Sequence, residues 1–136
     1  MSSLPSRDQR ASALRRQIRT LDQERASCLN ILLELRDLFA ASLSVVYRTC
    51  GKPNCRCAQG HPHGPYYFLS IQSAGRNDRA HLSPRHAQAV QPALKRYRLF
   101  FRTLRRLRAL DRRIEGLLRR LQRLCETRST KSFTTS

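Results

Sequence analysis

The sequence predicts a mainly α protein with a small β insert: an antiparallel two-helix coiled-coil hairpin whose tip is a short β segment rich in Cys and His. Three observations carry this. Apolar residues recur at alternating four- and three-residue steps near both ends of the chain. Between those stretches the vocabulary turns β-branched and aromatic, as strands require. In the middle, three cysteines and two histidines fall between Cys50 and His63, interleaved with Gly and Pro.

The first helix is expected over residues 6–40. Ser6 and Gln9 have the spacing of a capping box. Leu14, Ile18, Leu21, Arg25, Cys28, Leu32, Leu35 and Phe39 form a heptad seam broken only at Arg25, with no Gly or Pro across it. The β segment is expected over 44–83. Ser44–Thr49 and Tyr66–Ile71 read as strands flanking the Cys/His stretch, and Arg79–Leu82 follows a turn at 74–78 as a third. The Cys/His stretch would then be the first connection of a small antiparallel sheet.

The second helix is expected over 84–126, with Ser83 as cap and Pro84 at the first helical position. Pro92 either kinks it or starts its main run after a leading turn. Leu94, Tyr97, Phe101, Leu104, Leu107, Leu110, Ile114, Leu117, Leu121 and Leu124 keep helical spacing beyond it. Two helices of about 35 residues would each be roughly 50 Å long. A pair of this kind has one apolar seam and little globular core, so self-association or a larger complex is expected. Cys28 and Cys125 read as seam residues of the two helices that do not meet within one chain. Residues 1–5 and the Ser/Thr-rich stretch 127–136 are expected to be disordered, leaving one domain from 6 to 126.

The formal charge is +18, from 27 Lys and Arg against nine acids, and only Lys52, Lys95 and Lys131 are lysines. Such a chain repels itself unless an anion is near, which puts nucleic acid first among partners and an acidic membrane surface second. Guanidinium forks suit phosphate; GC-rich codon usage would also turn Lys into Arg, but would not create the net charge. The first ten residues lack the apolar core of a secretory signal, and no apolar run approaches the ~20 residues of a membrane span. A cytoplasmic or nucleoid-associated protein is expected, and in a reducing compartment clustered cysteines favour metal over disulfides.

The Cys/His spacing is Cys-x4-Cys-x-Cys-x3-His-x-His. Three thiolates and one imidazole make a closed tetrahedral zinc site of the structural kind, with Zn–S about 2.3 Å. Cys50, Cys55 and Cys57 are the expected thiolates. His63 is the expected fourth ligand because it adjoins the Gly64-Pro65 turn into a strand, with His61 in reserve. A metal-free loop of reduced cysteines is the plain alternative, and a redox role a remote one. A catalytic zinc would need a carboxylate as general acid or base. Between Leu38 and Leu110 the sole acid is Asp78, and no phosphate loop or serine elbow is present. The reading is therefore a non-enzyme.

From Pro84 to Arg128 there are fourteen Lys and Arg against Asp111, Glu115 and Glu126. Lys95, Arg98, Arg102, Arg105, Arg112, Arg119 and Arg123 share one heptad-spaced stripe, interrupted by the small residues Ala109 and Gly116. Such a stripe can line up with phosphates without reading bases. A solvated coiled-coil face is the plain alternative, but those faces usually mix signs. Arg48, Lys52 and Arg56 add charge beside Tyr47, Tyr66, Tyr67 and Phe68, aromatics that serve either as a minimal core or as a base-stacking surface. The sequence thus favours a nucleic-acid-binding accessory protein, DNA before RNA, with Lys52, Arg56, Arg98, Arg102, Arg105, Arg112, Arg119 and Arg123 as contacts. The competing class is a coiled-coil adaptor for other proteins.

The run Cys50-Gly51-Lys52, Cys55-Arg56-Cys57, His63-Gly64-Pro65-Tyr66-Tyr67 resembles the signature of a family of small bacterial and archaeal proteins of unknown function. Members similarly place the motif between helices, and some look associated with mobile elements. The resemblance implies Cys50, Cys55, Cys57 and His63 as the shared cluster, leaves His61 outside it, and supplies no established activity; an accessory part in transposition or recombination is the expected setting.

Overall fold

The computed structural model describes residues 3–73 and 75–128. The element order is α1 (Arg7–Glu34), β1 (Ala41–Arg48), a short 3-10 turn (Arg56–Gln59), β2 (His63–Ser73), β3 (Arg76–Leu82) and α2 (Pro84–Cys125). Contacts divide the described residues into two compact units, one from those within 1–34 and 102–136 and the other from those within 35–101. The expected disorder of 1–5 and 127–136, and the start of the turn at Ala74, fall partly or wholly outside the described residues.

In the first unit α1 packs antiparallel against the later part of α2. The capping box forms as the sequence requires: Ser6 N–H donates to Gln9 Oε1 at 2.8 Å, and Gln9 N–H to Ser6 Oγ at 3.2 Å. Leu14, Leu21 and Cys28 interlock with Leu110 and Leu117, and Ile18, Leu107, Ile114, Leu121 and Leu124 pack around them. Ala11, one step earlier in the same repeat, is also buried. The α2 seam runs through Leu107, Leu110, Ile114, Leu117 and Leu121 to Leu124. Phe101 is 42% exposed, so it is not a seam position. Arg25, the interruption in the α1 repeat, reaches Asp111 at 2.6 Å. Cys28 is a buried seam residue, but Cys125 is exposed and only accepts a hydrogen bond from Arg15 at 3.7 Å.

The first helix is shorter than the expected 6–40: it ends at Glu34, and Leu35 and Phe39 lie beyond it. Asp37 adopts a left-handed φ of 54°, which Asp tolerates better than most residues but a helix does not. The second unit holds that exit in place. The Arg96 guanidinium donates to the Asp37 carbonyl, and Phe39 N–H donates to the Ala93 carbonyl. β1 consequently starts at Ala41, three residues earlier than the expected 44.

The three strands form one antiparallel sheet in the order β1-β2-β3. Leu43 lies opposite Leu69, and Leu69 opposite Ala80, on the face whose central residue Leu69 is only 4% exposed. Phe68, opposite Ser44 and His81, points to the other face. Ala87 and Leu94, on the early part of α2, are the other deeply buried apolar residues of this unit besides Cys57. At the start of α2, His86 N–H donates to Ser83 Oγ at 3.3 Å and Ala87 N–H to the Ser83 carbonyl at 2.9 Å. Pro92 lies inside an unbroken helix; the carbonyl its missing N–H leaves unpaired belongs to Gln88, which is exposed to water.

Candidate functional site

Arg48 pairs with His63 at the end of the β1–β2 ladder, so the Cys/His stretch is the connection between those strands. Two tight turns fold it. Cys55 N–H donates to the Lys52 carbonyl at 3.2 Å, and Ala58 N–H to the Cys55 carbonyl at 3.0 Å. Gly60 ends the 3-10 turn in the left-handed region at φ 94°, and His61 N–H then closes back on the Arg56 carbonyl at 3.3 Å. Gly64 sits at φ 132°, and a Cβ there would meet the Val46 carbonyl at 2.9 Å. The chain can re-enter the sheet at His63 only because this position carries no side chain.

These turns converge four side chains. The ligand atoms of Cys50, Cys55, Cys57 and His63 all lie within 4.8 Å of one another. Cys50 Sγ is 3.4 Å from Cys57 Sγ, and Cys55 Sγ is 3.1 Å from His63 Nε2. Around a tetrahedral ion with Zn–S of about 2.3 Å, neighbouring sulfurs stand roughly 3.8 Å apart, so small shifts would close such a shell. A disulfide at about 2.05 Å is absent, and all five cysteines are free thiols. The group could hold a metal ion. His61 is exposed beside Cys55, Arg56 and His63 in a cleft of the loop, but does not belong to the cluster.

The electrostatics prepare one sulfur in particular. Cys57 is buried and accepts the Cys50 backbone N–H at 3.3 Å. That hydrogen bond outweighs burial, and with the Cys50 and Cys55 thiols and the His63 charge it lowers the Cys57 thiol to about 7. At Cys50 a backbone hydrogen bond from Lys52 favours the thiolate. Hydrogen bonds shared with Cys57 and Cys55, together with a partial loss of hydration at the sulfur, nevertheless push that thiol above its ordinary range. A metal would replace these shared protons.

Lys52 and Arg56 are exposed on the same loop. Arg98, in the second unit, lines a cleft of about 240 Å³ with Leu43, Leu94 and Tyr97. In the first unit Arg102, Arg105, Arg112, Arg119 and Arg123 are all exposed along α2. Arg119 pairs with Glu115 at 2.8 Å, so the stripe carries one neutralised position. Asp111 is engaged by Arg25, and Arg106 turns to Glu24. Arg102, Arg105, Arg112 and Arg123 have no carboxylate in salt-bridge reach among the described residues. Arg79 and His81 of β3, which sequence reasoning passed over, lie across the sheet on the face of Phe68. Only the register reveals that placement.

Among the described residues no helix is long and apolar enough to cross a membrane. No curated protein and no solved structure matches the chain. A family model, described as a domain of unknown function and numbered DUF6788, matches residues 11–91, from the first helix through the Cys/His loop and sheet into the start of α2. That is more than half of the chain, and the protein belongs to this family.

Proposed function

We propose that the protein is a non-catalytic nucleic-acid-binding accessory factor whose Cys/His loop is fixed by a structural zinc ion. The observation that carries this reading is the exposed α2 face, where Arg102, Arg105, Arg112 and Arg123 face solvent with no carboxylate partner among the described residues. Guanidinium groups at helical spacing on one rigid rod suit a ladder of phosphates, and contacts of that kind position a protein without reading sequence. Duplex DNA is the preferred ligand because its phosphate rows are regular. Three thiolates and one imidazole are a donor set that selects zinc over hard cations. They would hold the β1–β2 connection while supplying no open coordination position. Some members of the family that the motif resembles look associated with mobile elements, and a place in transposition or recombination is proposed on that ground. Self-association of the helices is part of the same reading, favoured by Leu29, Leu33 and Leu118, which are 38%, 67% and 48% exposed on the helices of the first unit.

The test is binding to a short DNA duplex as a function of salt. Each phosphate neutralised contributes a slope of about −0.9 in log K against log salt. Arg105/Arg112/Arg123→Ala, which removes three arginines unpaired among the described residues, should flatten that slope by roughly 2–3. Binding that is absent, or indifferent to salt, would refute the reading.

A further inference from the structure

The outer face of the sheet gathers aromatic and cationic side chains around Phe68. On β2, Tyr66 and Phe68 alternate away from the buried Leu69 and so share one face. His81 of β3 lies directly opposite Phe68, its ring edge-on with centroids 5.3 Å apart, and 6.3 Å from the Tyr66 ring. Two guanidinium groups lie over these rings. Arg79 stands 4.3 Å from the Phe68 centroid, and Arg48, brought round by the register shift after Val46, stands 5.3 Å from Phe68 and 5.9 Å from Tyr66.

Arg48, Arg79 and His81 are exposed, Tyr66 is 36% exposed and Phe68 is half-buried. Among the described residues of the three strands no carboxylate shares this face. Asp78, the sole acid between Leu38 and Leu110, pairs with Ile71 and points to the opposite side. Two cations therefore converge on one ring without a counter-ion, an arrangement that an arriving anion relieves. The exposed Tyr66 ring, and the guanidinium groups lying over Phe68, offer the flat surfaces that unpaired bases stack on.

The geometry points to this sheet face as a binding platform for single-stranded nucleic acid, with bases stacking on Tyr66 and on the guanidinium groups that Phe68 supports, and with Arg48 and Arg79 also supplying the charge that meets the backbone. It deepens the nucleic-acid reading and rests on it. A duplex keeps its base faces stacked inside, so this platform takes single strands, while the α2 arginines take phosphate rows of either form.

The test uses the full chain and three labelled probes: a thymidine oligonucleotide of about 15 residues, an abasic strand with the same number of phosphates, and a duplex. Fluorescence anisotropy should show the thymidine strand binding about tenfold or more tightly than the abasic strand. Tyr66→Ala and Arg79→Gln, both at exposed side chains, should each weaken the thymidine strand several-fold and leave the duplex unchanged. Phe68→Leu, which keeps the half-buried volume, should abolish the preference for bases. Equal binding of thymidine and abasic strands, or equal binding of a polyglutamate peptide, would overturn the platform while salt-dependent duplex binding still stood. Failure of every nucleic-acid probe would overturn the platform and the functional reading together.

Discussion

The backbone N–H of Cys50 donates to Cys57 Sγ at 3.3 Å, while the two sulfurs stand 3.4 Å apart. One thiol of the pair is thus set up as a thiolate and the other as its proton donor. In metal-free protein the pair should titrate in two steps, the lower near the value of about 7 set for Cys57, against an ordinary value of 9.0. Because this pKa is lowered on folding, its contribution to stability is fully present above pH 9.0 and is lost as pH falls through about 7. Thiolate absorbance followed against pH checks this, and Cys57→Ser should remove the lower step.

Removing a ligand should cost the loop its order without unfolding the helices. Cys55→Ser or His63→Ala, or chelation of the wild type, should raise amide exchange across the β1–β2 connection. The helical seam from Leu14 to Leu124 should keep its protection, since its contacts lie in the other compact unit. Hydrogen exchange resolved by peptide reads both regions in one experiment.

Glycine positions in the loop should rank by geometry. At Gly60 a Cβ meets nothing within 4 Å, so Gly60→Ala carries only the left-handed backbone cost of about 1 kcal/mol. At Gly64 the φ of 132° is joined by a 2.9 Å approach to the Val46 carbonyl. Gly64→Ala should cost more, on the order of 1–3 kcal/mol, and should weaken metal binding through misplacement of His63. Denaturation and competitive metal titration of the two variants compare them.

In the helical unit, packing should outweigh pairing. Leu110 is 1% exposed at the centre of the seam, and Leu110→Ala should cost about 2–5 kcal/mol. Arg25 and Asp111, with side chains 39% and 49% exposed, are solvent-screened; Asp111→Asn should cost no more than about 1 kcal/mol. Thermal melts of the two variants should differ accordingly, with the Leu110 variant losing many more degrees.

Local patterns were legible in the sequence and distant contacts were not. The capping box at Ser6 and the seam residues Leu14, Leu21, Leu110 and Leu117 follow from short-range periodicity, and the structure buries them where the repeat puts them. The convergence of Cys50, Cys55, Cys57 and His63 is equally local, closed by turns within one connection. The end of α1 was not legible. Leu35 and Phe39 continue the heptad, yet Asp37 breaks the helix, held by Arg96 far along the chain. The place of Arg79 and His81 beside Phe68 was also hidden, because strand identity names the residues while register decides which face they share.

Whether Cys50, Cys55, Cys57 and His63 hold zinc is open to a single direct measurement. Native mass spectrometry of the purified full chain should show one zinc ion per chain, bound with loss of the thiol protons, and a Cys57→Ser chain carrying none. A wild-type chain that folds with an ordered β1–β2 connection and carries no metal, even after incubation with zinc, would contradict the zinc site.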